Sequence, residues 1–469
     1  MLGQNKTQQL SMFGILLLVM GQVLPQIDFS IVNVALDVIG STLKTDETGL
    51  VLIVSLYGVS FAALITTGGR LGDKYGRKRM FLIGIIGFSL ASVICGLATD
   101  IIIMLIGRVL QGFFAALLLP QILATIHSTL TGARHRYAVS LYTSIAGLSV
   151  VIGQVVGGWL VSANLFDLGW RIAFFINVPI CIVIFLLGYF IIPETKSNAA
   201  KQNMDIGGIV LFILCLSLLM IPISLGKRWP ELWWLLLGVL PCAILLWRVE
   251  KSYELTGRKA VLPPSLFKIP MVINGFISEM IVTFTYPGYL FVTALCLQSE
   301  IGFTPFESGN TFIVLGIMFF IGSLLSRPLS QQIGDHKSYA IGGALTLIGF
   351  LGTIALFHSY HYELRFYHLW IATGSVGLGN SIMLTSAYRL TLSQVAKCYA
   401  SEASSALVTV QQGCCALGTT FAGTIYSLVL ALGYLNAITI SIGILSLIVL
   451  LVCIAIYIKT RGDLTQCLG

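Results

Sequence analysis

Charge is what this sequence has least of. Only 10% of its 469 residues are Asp, Glu, Lys or Arg, against about 25% in a typical soluble domain. Hydrophobic residues make up 57%, and the mean hydropathy is +0.93. So few charged side chains cannot cover a water-exposed surface. The apolar runs are near-continuous over about 20 residues, whereas barrel strands alternate over about ten, so the sequence predicts an all-α polytopic membrane protein.

The motifs of common enzyme classes are missing as well. The sequence has no G-x-x-x-x-G-K phosphate loop, which argues against ATP hydrolysis, and no HExxH zinc motif. Its ten cysteines fall mostly inside apolar runs without metal-ligand spacing, so we interpret them as small packing residues. We therefore expect no enzyme activity, no metal and no organic cofactor.

The apolar runs predict fourteen spans. They lie at 12–36, 49–69, 80–98, 101–125, 138–162, 171–192, 205–224, 231–248, 271–297, 306–326, 338–357, 366–390, 401–430 and 435–458. The first run is too long for a signal-peptide core and is not followed by a small-residue cleavage site, so we interpret it as a retained span.

Basic residues set the orientation of these spans. An even number of spans places both termini on one side, and we predict that side to be the cytoplasm. Of the 27 Lys and Arg residues, 21 then fall in cytoplasmic segments, five in outer segments and Arg108 within a span. This bias is the positive-inside pattern. The net charge of +8 therefore indicates lipid headgroups as partners rather than nucleic acid.

The spans predict two six-helix bundles with an insertion between them. We assign residues 1–193 to the first bundle, 194–249 to a linker with two extra spans, 250–270 to a cytoplasmic loop and 271–469 to the second bundle and a short tail. Paired halves of this kind indicate an internal repeat around a central pathway. RPLSQQIGDHK, at 327–337, holds the place in the second half that GRLGDKYGRKR holds in the first.

Five motifs, which follow one another along the chain in the order of a known family, make the chain similar to that family. GRLGDKYGRKR (69–79) resembles the signature loop of the major facilitator superfamily. IDFSIVNVAL (27–36), GRVLQGFFAA (107–116), GQVVGGWL (153–160) and GWRIAFFINVPI (169–180) resemble motifs of its fourteen-helix drug:proton antiporters, the DHA2-type family. The resemblance covers the whole chain in span number and the first half in motifs. It implies the major facilitator fold and transport driven by a proton gradient.

Two positions depart from the family pattern. Gln154 stands where the fifth-helix antiporter motif has proline, and glutamine cannot kink a helix by removing a backbone hydrogen bond. The glycines Gly153, Gly157 and Gly158 of this antiporter helix motif remain, and they allow close helix packing. Asp37 replaces the closing proline of the first-helix motif at its outer end.

Three ionisable residues inside spans are the predicted coupling group. An ionisable side chain inside a span costs about 2.5–3.5 kcal/mol on insertion scales, so Asp28, Glu279 and Arg108 are functional candidates. A buried carboxylate can bind a proton on one side and release it on the other, or hold a cationic substrate when ionised. A static buried ion pair is the structural alternative. The resemblance places the family's motif acid on Asp28 and implicates Arg108 in proton coupling.

Polar and aromatic residues in spans form a second group, predicted to support the cavity or the coupling. Gln111 lies one helical turn from Arg108 on the same face. Asn33 lies five residues after Asp28, about 140° round the helix, and so does not share its face. The remaining candidates, which could stack against flat cations or simply pack, are Tyr57, Tyr142, Tyr286 and Trp370.

The basic segment, as we call Gly69–Arg79, is predicted to be a tight turn that acts as a conformational latch. Topology alone explains its basic residues, but not its acid or its glycines. Asp73 could face a helix N-terminus or pair with Arg77. The candidate latch residues are Gly69, Gly72, Asp73, Gly76, Arg77 and Lys78.

These observations predict a monomeric, proton-coupled exporter of hydrophobic or cationic small molecules in a bacterial-type inner membrane, working by alternating access. The first alternative is a narrow-specificity exporter of a metabolite or siderophore with the same fold. The second is a sensor or channel without transport activity, against which stand the paired halves and the lack of charged pore rings.

Overall fold

The computed structural model describes residues 10–195, 206–226, 229–256, 264–268, 270–392 and 400–466. Long helices account for most of these residues. The first half contains α1 (Met12–Leu43), α2 (Glu47–Tyr75), α3 (Arg77–Gly96), α4 (Ile101–Thr129), α5 (Gly132–Ala163), α6 (Ile172–Phe175) and α7 (Asn177–Ile191); the insertion contains α8 (Ile206–Leu225) and α9 (Val239–Leu255); the second half contains α10 (Pro270–Ser299), α11 (Pro305–Thr311), α12 (Ile313–Ile333), α13 (Asp335–Tyr360), α14 (Trp370–Leu392), α15 (Ala400–Val429) and α16 (Tyr434–Gln466).

Polar caps start several of the helices. The side chains of Ser11, Asp46 and Asp100 each accept a backbone N–H three residues on, at 3.0 Å, and so satisfy an otherwise free donor at the starts of α1, α2 and α4. Thr304 and Glu307 form a reciprocal capping box at the start of α11. The long apolar sequences between such caps form continuous helices.

Every predicted span corresponds to helix in the described chain, with ends that shift by a few residues. Within the described residues, eleven helical segments are long and apolar enough to cross a membrane, and shorter apolar helices occur at Ile152–Ala163 and Gly207–Ile223. The all-helical membrane architecture is therefore confirmed. The count of fourteen spans and the cytoplasmic location of both termini remain predictions, as do the domain boundaries near 194 and 270.

The prediction that the basic segment is a loop is wrong. Helix α2 continues through Gly69 to Tyr75, and α3 begins at Arg77, so Gly76 alone separates the two helices. Gly76 has φ +111°, a conformation that L side chains rarely adopt, which is why glycine can make so sharp a break. The polar, glycine-containing sequence suggested a loop, but its residues belong to the last turns of one helix and the first of the next.

The two halves pack against each other through several pairs of helices, including α1 with α10. Helix α2 of the first half lies along α15 of the second, and α5 lies against α11 and α12. The largest buried apolar cluster contains side chains of both halves, among them Ile31 and Leu36 of α1 and Phe291 and Leu295 of α10. A second apolar cluster lies within the first half.

Candidate functional site

A buried ion pair joins α1 and α4 inside the first half. Asp28 and Arg108 are both fully buried, and Arg108 Nη1 lies 2.5 Å from Asp28 Oδ2. Arg108 Nε donates to the carbonyl of Ile53 at 2.9 Å, and its guanidinium lies 4.4 Å from the ring centroid of Tyr57. Carboxylate, carbonyl and aromatic face together compensate a charge that could not stay unpaired in a span.

Amide side chains complete this first cluster. Gln111 accepts from Arg108 Nη1 at 2.7 Å and donates from Nε2 to Asp28 Oδ1 at 2.9 Å. Asn177 Nδ2 also donates to Asp28 Oδ1, at 2.9 Å, and both amides donate to Ser92 Oγ. Both oxygens of Asp28 are therefore hydrogen bonded, so in this conformation the carboxylate is held by the protein and is closed to a substrate.

Two members of this cluster were missed by sequence reasoning. Asn177 lies within the quoted motif GWRIAFFINVPI, and the signal that could have found it is a polar residue inside that apolar stretch. It begins α7 directly after the short helix α6, which lets its side chain reach across to Asp28. Ser92 carries no such signal, because a lone serine in a span most often packs.

The second buried acid stands in different surroundings. Glu279 on α10 is fully buried, and neither carboxylate oxygen has a hydrogen-bond partner among the residues that the structure describes. The titratable groups near it include the hydroxyl groups of Tyr339 and Tyr388 and the thiols of Cys414 and Cys415, all of which are neutral when protonated. An ionised carboxylate left bare in this way is strongly disfavoured, which makes the neutral, proton-bearing form the stable one in this conformation.

The basic segment ties together helices of the first half. Arg77 pairs with Asp73 at 2.8 Å and donates to the carbonyl of Ala124 on α4 at 2.8 Å. Lys78 Nζ donates to the carbonyl of Tyr189 on α7 at 2.5 Å. The predicted pair of Asp73 with Arg77 is thus present. Whether it breaks during a transport cycle remains a prediction.

The glycines of the basic segment make close approaches possible. The side chain of Gln121 on α4 lies where a Cβ at Gly72 would stand, and the carboxylate of Glu194 lies 2.6 Å from that position at Gly76. Gly69 is less tightly packed, with Pro120 3.5 Å from its Cβ position. Gly72 and Gly76 therefore serve contacts within the first half.

A related arrangement occurs in the second half, at the turn between α12 and α13. Asp335 accepts from Arg389 Nε at 2.5 Å and from Ser330 Oγ at 2.6 Å. Arg389 Nη2 also donates to Ser326 and Ser386. As in the basic segment, an acid within three residues of the glycine between two helices pairs with an arginine.

The antiporter helix motif on α5 packs in two directions. Gly153 and Gly157 lie against Ile27 and Ile31 of α1, within the same half. Gly158 lies against the carbonyl of Pro305, across the boundary to the second half. Helix α5 runs unbroken from Gly132 to Ala163, in keeping with the missing proline. The glycines therefore pack both within the first half and against the second half.

Gln154 of that motif has a role the sequence did not suggest. Its backbone carbonyl lies close to Gly309 of α11, where only a glycine leaves room. Its side chain is 1% exposed and has no hydrogen-bond partner within the described residues.

Hydrogen bonds close the halves together at the end predicted to face outward. Gln298 donates to the carbonyl of Asn33 at 3.4 Å, Ser299 donates to Asp37 at 3.0 Å, and the backbone N–H of Phe306 donates to Ser162 at 2.9 Å. Each bond links α1 or α5 of the first half to the end of α10 or the start of α11. With the outer end closed, the ion pair and Glu279 are shielded from that side.

The predicted supporting residues divide between different surroundings. Tyr57 belongs to the first cluster, and Tyr286 is half-buried beside Phe319 with ring centroids 5.9 Å apart. Tyr142 is half-buried on α5. Trp370 instead donates to the carbonyl of Asn310 at 3.0 Å, which places it in the packing of the outer end.

Asn33 is buried, and its side chain has no partner in the described chain. Its backbone carbonyl alone takes part in the outer closure.

Comparison with known proteins agrees with this geometry. A sequence model described as Major Facilitator Superfamily matches residues 18–419. The chain is 30% identical over 415 residues to the probable actinorhodin transporter of Streptomyces coelicolor, covering 87% of this chain and 72% of the relative. It is 28% identical to the tetracenomycin C resistance and export protein of Streptomyces glaucescens and 29% identical to the multidrug resistance protein Stp of Mycobacterium tuberculosis. In these two cases the match spans 63% of the relative's length and 73% and 74% of this chain.

Solved structures share the fold at low sequence identity. A bacterial homolog of the human lysosomal transporter Spinster, in an inward-facing and unoccupied conformation, matches with a TM-score of 0.66 at 16% identity and covers 99% of both chains. A POT family transporter in complex with 5-aminolevulinic acid matches with a TM-score of 0.69 at 12% identity, covering 95% of this chain and 97% of that one.

Proposed function

Because the chain belongs to the major facilitator superfamily, we propose that it exports hydrophobic, often cationic small molecules across a bacterial inner membrane in exchange for protons. The names of its relatives, which include antibiotic exporters and a multidrug resistance protein, support efflux as the direction of transport. The observation that carries proton exchange is the pair of buried acids, one in each half, of which only Asp28 has a charged partner among the residues that the structure describes.

Glu279 is the proton carrier in this proposal. In the conformation described here, its bare carboxyl group is stable only with a proton bound. Opening to the cytoplasm admits water to the carboxyl group, which lets the proton leave. An ionised Glu279 then attracts a cationic substrate, so that proton and substrate compete for one negative charge.

Asp28 and Arg108 act as the switch of the first half. The ion pair satisfies both charges in this conformation. A proton that reaches Asp28 would break the ion pair and leave Arg108 with its other present partners, among them the carbonyl of Ile53 and the ring of Tyr57. Breaking so deeply buried a pair requires other packing changes, and this links protonation to the movement of the halves.

Reconstituted protein tests the proposal directly. In proteoliposomes with an imposed pH gradient, we expect the protein to move ethidium against the proton flow, and a protonophore to abolish this movement. Dye movement that ignores the pH gradient would contradict proton exchange.

A narrow-specificity exporter is the second candidate. Two relatives are named for a single compound, actinorhodin or tetracenomycin C. In that case no cationic dye would move, whereas deletion of the gene in its host would reduce secretion of one metabolite.

A further inference from the structure

The two inserted helices do not stand apart in the lipid. Helix α8 buries one stripe of side chains, Ile209, Phe212, Leu216 and Met220, whose spacing of three to four residues keeps them on one face. Val210, Leu214 and Ile221 on the other face are 39–55% exposed. An apolar helix with one buried stripe has a specific partner surface, so its position is determined by packing.

That partner surface is the seam between the two halves. Phe212 and Leu216 form a buried cluster with Ala62 of α2, against which Val59 of α2 and Leu417 of α15 also pack. Helices α2 and α15 belong to different halves and lie side by side. Helix α8 therefore covers the line along which the halves meet.

Three helices meet at one point of this seam. A Cβ atom at Gly413 of α15 would lie 3.7 Å from Leu216 Cδ2 of α8 and 3.9 Å from Ala62 Cβ of α2. Gly413 has nothing nearer, so a small side chain fits there without displacing its neighbours. The point is open enough to be altered and close enough to be cross-linked.

The contacts of α8 with the two halves differ in kind. Toward α15, the hydroxyl of Thr424 donates to the carbonyl of Ile223 at 2.9 Å, in addition to apolar packing. Toward α2, the described contacts are between apolar side chains, Ala62 and Val59 with those of α8. A hydrogen bond is directional and fixes position, whereas apolar packing is non-directional and tolerates sliding.

We propose that α8 is a sliding seal: it moves with the second half, slides over α2, and keeps lipid out of the α2–α15 seam while the halves move. The inference rests on the proposed movement of the halves and assigns a role to the insertion. It follows that a hydrophobic substrate dissolved in the bilayer does not reach the centre of the protein through this seam.

Disulfide cross-linking at the three-helix point tests the sliding. In a cysteine-free protein shown to retain efflux, three pairs are compared: Leu216→Cys with Gly413→Cys, Leu216→Cys with Ala62→Cys, and Ala62→Cys with Gly413→Cys. The first pair, within the unit that moves together, should retain at least half of the transport rate after oxidation. The second pair, across the sliding surface, should lose transport at least ten-fold and regain it on reduction.

The third pair separates the seal from the movement on which it depends. It joins the two halves directly and should also stop transport reversibly. Continued transport with this link would refute movement of the halves at the seam, and with it the sliding. If the third pair stops transport but the second does not, the movement stands and the sliding of α8 over α2 is wrong.

The protein with its natural cysteines provides a second test, should the cysteine-free form fail to fold. In vesicles containing phospholipid with a photoreactive group in the acyl chain, labelling should fall on the exposed face of α8, at Leu214 and Ile221. Labelling of Val59 or Leu417 during transport would overturn the seal.

Discussion

Each half of the protein contains a buried acid, and the two acids differ in their hydrogen-bond partners. In the first half, Asp28 receives hydrogen bonds from Arg108, Gln111 and Asn177. In the second half, Glu279 is equally buried, but its carboxyl group has no partner in the described chain. The negative charge of one acid is compensated by an arginine and two amides, whereas no described group compensates a negative charge on the other. A carboxyl group with no fixed partner can exchange a proton without breaking a network, and the division of roles in the proposed mechanism follows from that.

The largest expected effect comes from removing one charge of the ion pair. Asp28→Asn leaves Arg108 charged and buried without its counter-ion, which should destabilise the protein by about 3–5 kcal/mol and reduce pH-driven dye transport to background. Thermal unfolding in detergent and proteoliposome transport measure the two effects.

The double variant Asp28→Asn with Arg108→Gln is the control. It removes both charges together, so most of the stability should return while transport stays absent. If the single variant is as stable and as active as the wild type, the ion pair is not the switch.

The corresponding change in the second half should separate coupling from stability. Glu279→Gln replaces a neutral carboxyl group by a neutral amide of similar shape, and no described hydrogen bond to the carboxyl group is lost, so stability should change by less than about 1 kcal/mol. Transport driven by a pH gradient should fall at least ten-fold, whereas exchange of labelled for unlabelled uncharged substrate without a gradient should continue. The exposed Glu363→Gln serves as the matched control and should change neither. Full gradient-driven transport by Glu279→Gln would end its proposed role.

The acid–arginine pairs at the interhelical turns allow a finer comparison. Asp335 is bonded to Ser330 and Arg389, whereas the side chain of Asp73 is 41% exposed beside Arg77. Exposed pairs contribute less than about 1 kcal/mol. Asp335→Asn should therefore lower the unfolding temperature more than Asp73→Asn.

Transport rates distinguish a latch from a structural pair. If Asp73 is a latch, Asp73→Asn should slow transport several-fold with little loss of stability. Equal rates for Asp73→Asn and the wild type would leave Asp73 with a purely structural role.

The smallest effects are expected from two tyrosine hydroxyl groups. Tyr57 donates to the carbonyl of Pro25, and Tyr388 donates to Gln411, each at 3.0 Å. Replacement by phenylalanine removes one hydrogen bond, about 1 kcal/mol, and Tyr57→Phe keeps the ring face that Arg108 occupies. Transport should change less than three-fold in both variants. If Tyr388→Phe flattened the pH dependence as Glu279→Gln should, the proton route would extend to this hydroxyl group.

The buried charged residues were predictable because an ionisable side chain inside a membrane span is costly and therefore rare. The rarity of ionisable residues in spans pointed to Asp28, Arg108 and Glu279, and helical spacing placed Gln111 beside Arg108. Which of the two acids would have a partner was not predictable. Partners lie on other helices, and apolar spans carry almost no periodic signal of which face points where.

Other errors have the same physical origin. Trp370 was a cavity candidate by residue type, but its indole group is used in the packing of the outer end. The basic segment seemed to be a loop because it is polar and rich in glycine, yet it is helical on both sides of Gly76. Beyond the apolar layer of a membrane, polar residues continue a helix as readily as they end it.

Helix α2 is long and unbroken, so a small tilt of the helix displaces its far end by several ångströms. Its 29 residues extend about 44 Å at 1.5 Å per residue, well beyond a hydrocarbon core of about 30 Å. Gly58 packs directly on Ala416 of α15, so we expect α2 to tilt about this contact. From there to Tyr75 the helix spans about 26 Å, so a tilt of about 10° displaces its Tyr75 end by about 4–5 Å. A rigid helix of this length therefore converts a small rotation at one end into a displacement at the other end that exceeds the length of a hydrogen bond.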